Sequence, residues 1–215
     1  MKRTPFTIAF ASAVLLLISC GRRSDIPAPV TDESGTMVLV RGGSFKMGGR
    51  YGDRDETTVR KLAVSSFWLG RAEVTAAEFS AWQAASGASA VSEANPSLAK
   101  ALPATNVEWR EAIAYCNYLS EKAGLSKAYA LGEDGVVTAD WEAEGYRLPT
   151  ETEFEWAASG GIYSRRYDYS GSSKAEEVAW YNGNADGPKP VKSRASNELG
   201  IYDLSGNVWE WCWDT

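Results

Sequence analysis

Two carboxylates are placed to do chemistry. Asp203 and Glu210 lie seven residues apart, on either side of the turn signal Ser205-Gly206-Asn207. They belong to an aromatic run, Leu199 to Trp213, that also holds Trp209, Trp211 and Trp213. Carboxylate oxygens are the donors a hard cation such as calcium prefers. The thiols are Cys20, Cys116 and Cys212, and the sequence contains no histidine. That excludes His-ligated zinc or iron, Ser-His-Asp catalysis and imidazole acid–base work by these residues. Cys116 and Cys212 could pair in an exported chain, but sequence does not fix their separation.

Export is the expectation from the first residues. Met1-Lys2-Arg3 is basic, and Ile8 to Ile18 is an apolar run of 11 residues. That is too short to span a bilayer and suits a signal peptide. The run ends in Leu17-Ile18-Ser19-Cys20-Gly21, the pattern of a bacterial lipoprotein signal. On this reading residues 1–19 are removed and Cys20 carries the lipid. Gly21 offers no inner-membrane retention cue, so the expected location is the cell envelope, anchored in the outer membrane. Residues 20–36 read as a flexible tether, being polar and lacking apolar periodicity. The folded domain is then 37–215, large enough for one core. Loss of Lys2 and Arg3 leaves 20 basic against 28 acidic residues, a net charge of −8. Such a surface disfavours nucleic acid.

The elements that must position the carboxylates read as short and mixed. Met37-Val38-Leu39-Val40 and Ser44-Phe45-Lys46-Met47, separated by Gly42-Gly43, suggest a hairpin, and Leu62 to Leu69 suggests one strand. Thr75-Ala76-Ala77-Glu78 is a capping box opening a helix, with Gly87 to end it. Thr105 or Asn106 would cap a second helix over 108–123, closed by Gly124. A hairpin turns at Asp134-Gly135, and a second capping box stands at Thr150-Glu151-Thr152-Glu153. Residues 160–197 form a long loop region, and 199–213 return to strand character, which would put Trp209, Trp211 and Trp213 on one face. Core packing is the first expectation for that face, and a sugar-stacking platform the functional alternative. Arg147 and Glu151 are expected to pair inside the domain. The class is an irregular α+β domain.

Five segments in order carry a resemblance. They are Met37 to Gly48, Glu73-Val74-Thr75, Leu102 to Asn117, Tyr146-Arg147-Leu148-Pro149-Thr150-Glu151-Thr152-Glu153-Phe154-Glu155-Trp156-Ala157-Ala158, and Gly206-Asn207-Val208-Trp209-Glu210-Trp211. Together they resemble the formylglycine-generating enzyme family, or sulfatase-modifying factor domain, over essentially all of 37–213. The resemblance implies a loop-rich fold related to C-type lectins. It also implies a calcium site, with side-chain ligands Asp203 and Glu210 and backbone carbonyls of Gly206 and Val208. Without a cation, Glu210 would instead accept hydrogen bonds from a buried arginine or backbone, and Asp203 would cap the turn. A second family calcium site would fall near Asn182 to Asp186, where the match is poor. The resemblance places Cys116 at a position of family disulfide bonding, so here it is either a buried thiol or paired with Cys212.

Two departures bear on activity. Family members continue past the last motif with further strands, and the oxidases among them carry there the two cysteines that hold copper. The present sequence stops first, so copper is not expected, nor is a catalytic residue. Relatives also have Pro-x-His where Glu56-Thr57-Thr58-Val59 stands. The leading expectation is a surface-anchored, non-catalytic lipoprotein domain binding a protein or carbohydrate ligand, or serving a structural role. One alternative is a formylglycine-generating oxidase acting on sulfatase cysteine, completed by cysteines beyond Thr215. The other is a truncated fragment without function, its tryptophan run an exposed edge.

Overall fold

A computed structural model describes residues 30–48, 59–87 and 101–214. The signal segment, Cys20 and most of 20–36 lie outside the described residues. Folded chain nonetheless begins before Met37: β1 (Val30–Thr31) pairs antiparallel with β2 (Met37–Val40). The Asp32 carboxylate closes the turn between them, accepting from the Thr36 and Met37 N–H groups at 2.7 and 2.8 Å.

β2 is the middle strand of three. On its other side it pairs with β5 (Phe67–Gly70), Val40 opposite Phe67. Side chains alternate along a strand, and here both faces are buried. Val38, Val40, Phe67 and Leu69 enter one cluster with Trp156, Ala157, Leu199 and Ile201. Met37 turns the other way, toward Ile113, Cys116, Tyr129, Tyr146 and Leu148. A strand with core on both sides needs no polar face, hence the unbroken apolar run.

The expected first hairpin is therefore absent. β3 (Gly43–Met47) pairs not with β2 but with β4 (Arg60–Val64), in a separate two-stranded ribbon. The single strand expected over 62–69 is two, β4 and β5, broken at Ser65-Ser66. The Gly42 backbone passes so close to this break that an added Cβ would lie 2.5 Å from the Val64 carbonyl oxygen, and the Ser66 hydroxyl accepts the Gly42 N–H at 2.9 Å. The corner thus moves the chain from one sheet to the other.

The helices follow their capping signals. α1 (Ala76–Ser86) starts at Thr75, whose hydroxyl accepts the Glu78 N–H while Glu78 reaches back to the Thr75 N–H. Gly87 ends it in the left-handed conformation. α2 (Trp109–Lys122) is capped by Glu108 rather than Thr105 or Asn106, with Glu111 reciprocating. The hairpin β6 (Tyr129–Leu131) and β7 (Val137–Ala139) forms as expected. α3 (Glu151–Ala158) begins at Thr150 with the second capping box. Beyond a 3₁₀ turn at Gly161–Tyr163 and a short helix α4 (Ala175–Val178), the rest of 159–214 is ordered loop. The domain is a loop-rich α+β fold. No described helix is long and apolar enough to cross a membrane.

Candidate functional site

The last aromatic run forms no strand. Its backbone turns sharply, with Asp203 and Asn207 both at positive φ (63° and 64°). Aspartate and asparagine are the non-glycine residues that tolerate this region best. Gly206 (φ 138°) is required twice over, because an added Cβ would also lie 2.3 Å from the Trp180 carbonyl oxygen. Asn207 fixes the turn from both ends. Its N–H donates to the Trp180 carbonyl at 2.8 Å, and its side-chain oxygen accepts the Lys189 N–H at 2.9 Å.

The three tryptophans that follow the turn do not form one strand face. Trp213 is packed in the core, stacked on Tyr129 (5.0 Å, 18°) and held by its N–H to the Pro149 carbonyl. Trp211 is 42% exposed, tied by its indole N–H to the Val107 carbonyl at 2.8 Å. Trp209 is fully exposed, at 102%. The three share no core face: Trp213 packs on the core, whereas Trp209 and Trp211 both line the cleft described below.

The turn does bring carboxylates together. Asp203 is buried; one oxygen accepts the Lys192 N–H at 2.8 Å, and the other, Oδ1, has no partner. Glu210 lies within its field: burial first, then the Asp203 charge, pushes the Glu210 carboxyl up to about 8. The third member, Glu73, was not singled out as a site residue from sequence. It is buried just before α1 and accepts from the Asn207 side-chain amide at 2.7 Å and the Val208 N–H at 3.3 Å. Burial, then Glu210 and Asp203, push it up to about 9, against the pull of those two hydrogen bonds. Burial also raises Asp203, and the Lys192 N–H opposes it. The sequence signal for Glu73 was a carboxylate on the apolar approach to a capping box. Among the described residues, however, no three or more acidic, cysteine or histidine side chains form a ready metal cage. Gly206 and Val208 sit in the same turn, and the Val208 N–H donates to Glu73.

Beside the cluster opens an apolar cleft of about 410 Å³. Val74 and Phe79 of the α1 approach, Val107, Tyr115 of α2, Leu148 and Trp209 line it, with Glu73 and Glu210 at one end. Phe79 and Tyr115 also pack with Trp82 in a third cluster, which makes the floor rigid.

The other expected pairings resolve differently. Arg147 pairs not with Glu151 but with Glu153, through two bonds of 2.8 Å. Glu153 is the third helical residue of α3, so its capping role folds it back over the helix start, where Arg147 lies. Glu151, at the first helical position, has an exposed side chain and donates its N–H to Asp214 at 2.7 Å. Cys116 and Cys212 are buried thiols, not a disulfide. Burial lifts the Cys116 thiol well above its ordinary range and Cys212 to about 12.

Comparison with known proteins agrees with this architecture. The model of the sulfatase-modifying factor enzyme 1-like domain matches residues 23–215. The chain is 37% identical to the chaperone protein LppX of Paenibacillus barcinonensis, over 86% of this chain and 73% of that one. It is 29% identical to a formylglycine-generating enzyme of Streptomyces coelicolor, over 87% and 72% of the two chains. The solved structure of Treponema denticola variable protein 1 superposes with a TM-score of 0.68 at 28% identity, covering 87% of this chain and 77% of that one.

Proposed function

Since the chain belongs to the sulfatase-modifying factor enzyme 1-like family, and since its own thiols are buried and protonated, we propose that this domain binds rather than catalyses. Its cleft takes an apolar segment of another polypeptide. The observation that carries this reading is the rigid apolar cleft with a fully solvated tryptophan at its rim. A large aromatic surface left in water at the edge of a concave apolar site marks a binding hot spot. The thiols argue against chemistry. With Cys212 lifted to about 12 and Cys116 raised further, neither offers thiolate near neutrality. A relative named a chaperone supports a polypeptide ligand. The chain's net charge of −6 favours a segment with a basic flank.

Two further parts of the reading are proposals of the same kind. Calcium binds at Asp203 and Glu210, with Gly206 and Val208 carbonyls completing the set. The orphaned Asp203 Oδ1 and the mutual repulsion of the acids support it, since a hard cation would relieve both. Cys20 anchors the chain by lipid in the cell envelope, at the outer membrane; the lipoprotein-type signal supports this, and labelled palmitate should be incorporated by the parent and not by Cys20→Ser.

The binding test uses a lysine-flanked leucine/valine peptide, titrated against the full mature chain by fluorescence anisotropy. Trp209→Ala should weaken binding roughly 10-fold, as loss of a hot-spot aromatic does. A sulfatase-type cysteine peptide incubated with the same protein should keep its mass. Equal affinity in parent and Trp209→Ala, or conversion of that cysteine to formylglycine, overturns the reading.

A further inference from the structure

A second concavity lies on the 160–197 loop region and shares no lining residue with the cleft above. It encloses about 490 Å³ and is lined by Tyr169, Tyr181, Ser173, Lys174, Glu176 and Ser205, with Ala175 and Ala179 beneath. Tyr169 and Tyr181 remain 44% and 37% exposed. Exposed aromatic rings are ordinary when they swing freely, but here one ring and the backbone of the other are pinned.

Tyr181 is held at four points. Its N–H donates to the Asn184 side chain at 2.9 Å, and its carbonyl accepts the Asn184 and Ala185 N–H groups at 2.9 and 2.8 Å. Its hydroxyl donates to Glu176 at 3.0 Å. Its ring rests on Gly183, where an added Cβ would lie 2.3 Å from a ring carbon. Tyr169 stands on the tight turn to Ser172, closed by its N–H to the Ser172 carbonyl at 3.0 Å. That turn is pinned by Gly171 (φ 98°), whose Cβ position is taken by the Asn197 backbone. The Tyr181 ring is therefore presented in a fixed place, and Tyr169 projects from a fixed backbone, which lowers the ordering cost on binding.

The polar lining is balanced in charge. Lys174 pairs with Glu177 at 3.1 Å, and Glu177 also accepts the Ser172 hydroxyl at 2.6 Å. Glu176 accepts the Tyr181 hydroxyl and lies in the field of the Arg194 guanidinium. The lining thus offers hydroxyls, an ammonium and a carboxylate around two aromatic faces, without a net field for an anion or a cation. Those are the complements of a sugar ring, with its apolar C–H face and a rim of hydroxyls. A groove for a proline-rich peptide would pair aromatic rings with apolar walls, and here Ser173, Lys174, Glu176 and Ser205 stand in the lining beside the two alanines.

We propose that this concavity is a binding site for a neutral oligosaccharide, stacked on Tyr181 and Tyr169 and hydrogen-bonded through Lys174, Glu176, Ser173 and Ser205. Its volume of about 490 Å³ lies within the usual range for ligand sites.

The test is titration calorimetry of the full mature chain with chitotetraose, cellotetraose and maltotetraose, and with a polyproline decapeptide as comparison. At least one saccharide binds, and EDTA leaves its affinity unchanged. Tyr181→Ala and Tyr169→Ala each weaken it 10-fold or more. Tyr181→Phe, which keeps the ring and loses the Glu176 bond, stays within about threefold. Gly183→Ala, which displaces the ring without removing it, also weakens binding 10-fold. Trp209→Ala has no effect, so failure here and failure of the apolar-cleft reading are separate results. Absence of binding by all three saccharides overturns the proposal. So do affinities unmoved by both tyrosine variants, loss of binding with EDTA, or preference for the polyproline peptide.

Discussion

The molecule buries charge in two places and treats it in opposite ways. At the start of α3, Arg147 and Glu153 meet through two bonds of 2.8 Å, and Arg147 spends a further donor on the Leu148 carbonyl. Glu153 also takes the Thr150 N–H, and the Arg147 guanidinium lies 4.9 Å from the centre of the Trp141 ring. Charge is balanced and the acceptors are used. At the 203–210 turn, Glu73, Asp203 and Glu210 gather, and none of them makes an ion pair among the described residues. One oxygen of Asp203 has nothing to accept from. The first cluster is finished by the fold. The second is held in place by the fold and is left in need of a proton or a cation.

Breaking the balanced cluster should have the largest effect. Glu153→Ala leaves Arg147 buried without its carboxylate and removes half of a capping box. The expected loss is about 3–5 kcal/mol, the usual cost of stranding one partner of a buried pair. Urea unfolding at 25 °C measures it. The double change Arg147→Met with Glu153→Leu should cost clearly less than Glu153→Ala alone, because no charge is then stranded. If the double variant is the worse of the two, the pair does more than neutralise itself.

Supplying a cation should act next most strongly, and only at the other cluster. Calcium at 100 times its dissociation constant should stabilise the parent by about 2.7 kcal/mol. In a domain of this size that is about 5–10 °C in melting temperature. Asp203→Asn should abolish the gain, whereas Glu153→Ala, though less stable, should keep it. A melting temperature identical in EDTA and millimolar calcium would remove calcium from the account of this turn.

The contrast was half legible in the sequence. The capping boxes at Thr75 and Thr150 depend on residues three apart, so local spacing carried both helices. The same spacing held the clue to Glu153: the residue that reciprocates the cap must fold back toward Arg147, and Glu151, two places earlier, cannot. The strand pairings were not legible. Gly42-Gly43 reads as a hairpin turn, but the close approach of its backbone to Val64–Ser66 makes it a corner between two sheets, a contact set by residues more than 20 positions away. The tryptophans of the last run misled for a similar reason. Alternation places side chains on one shared face only within a strand, and residues 209–213 form none. Asp203 and Glu210 were visible as a pair, yet Glu73 comes from 130 residues earlier and is joined to them through Asn207. No local pattern records such a contact.

The smallest expected effect is also the one most specific to the unbalanced cluster. Without added cation, Glu73 and Glu210 are held protonated to about 9 and 8, against an ordinary value of 4.5. The native state therefore binds more protons than the unfolded chain between these limits, so stability falls as pH rises. The contribution is intact below about 4.5 and is lost as pH passes through 8 and 9. Glu73→Gln removes one titrating group and keeps an oxygen to accept the Asn207 amide at its 2.7 Å contact. It gives up only the longer Val208 bond of 3.3 Å. That loss costs under about 1 kcal/mol, the usual worth of one neutral hydrogen bond. At pH 4 the variant should thus be equal to or slightly below the parent. At pH 9 it should be the more stable of the two, since a buried amide has no charge to desolvate. Crossing stability curves from urea melts at the two pH values are the signature. Parallel curves would mean that Glu73 is ionised in the native protein and already compensated, which would make the second cluster as complete as the first.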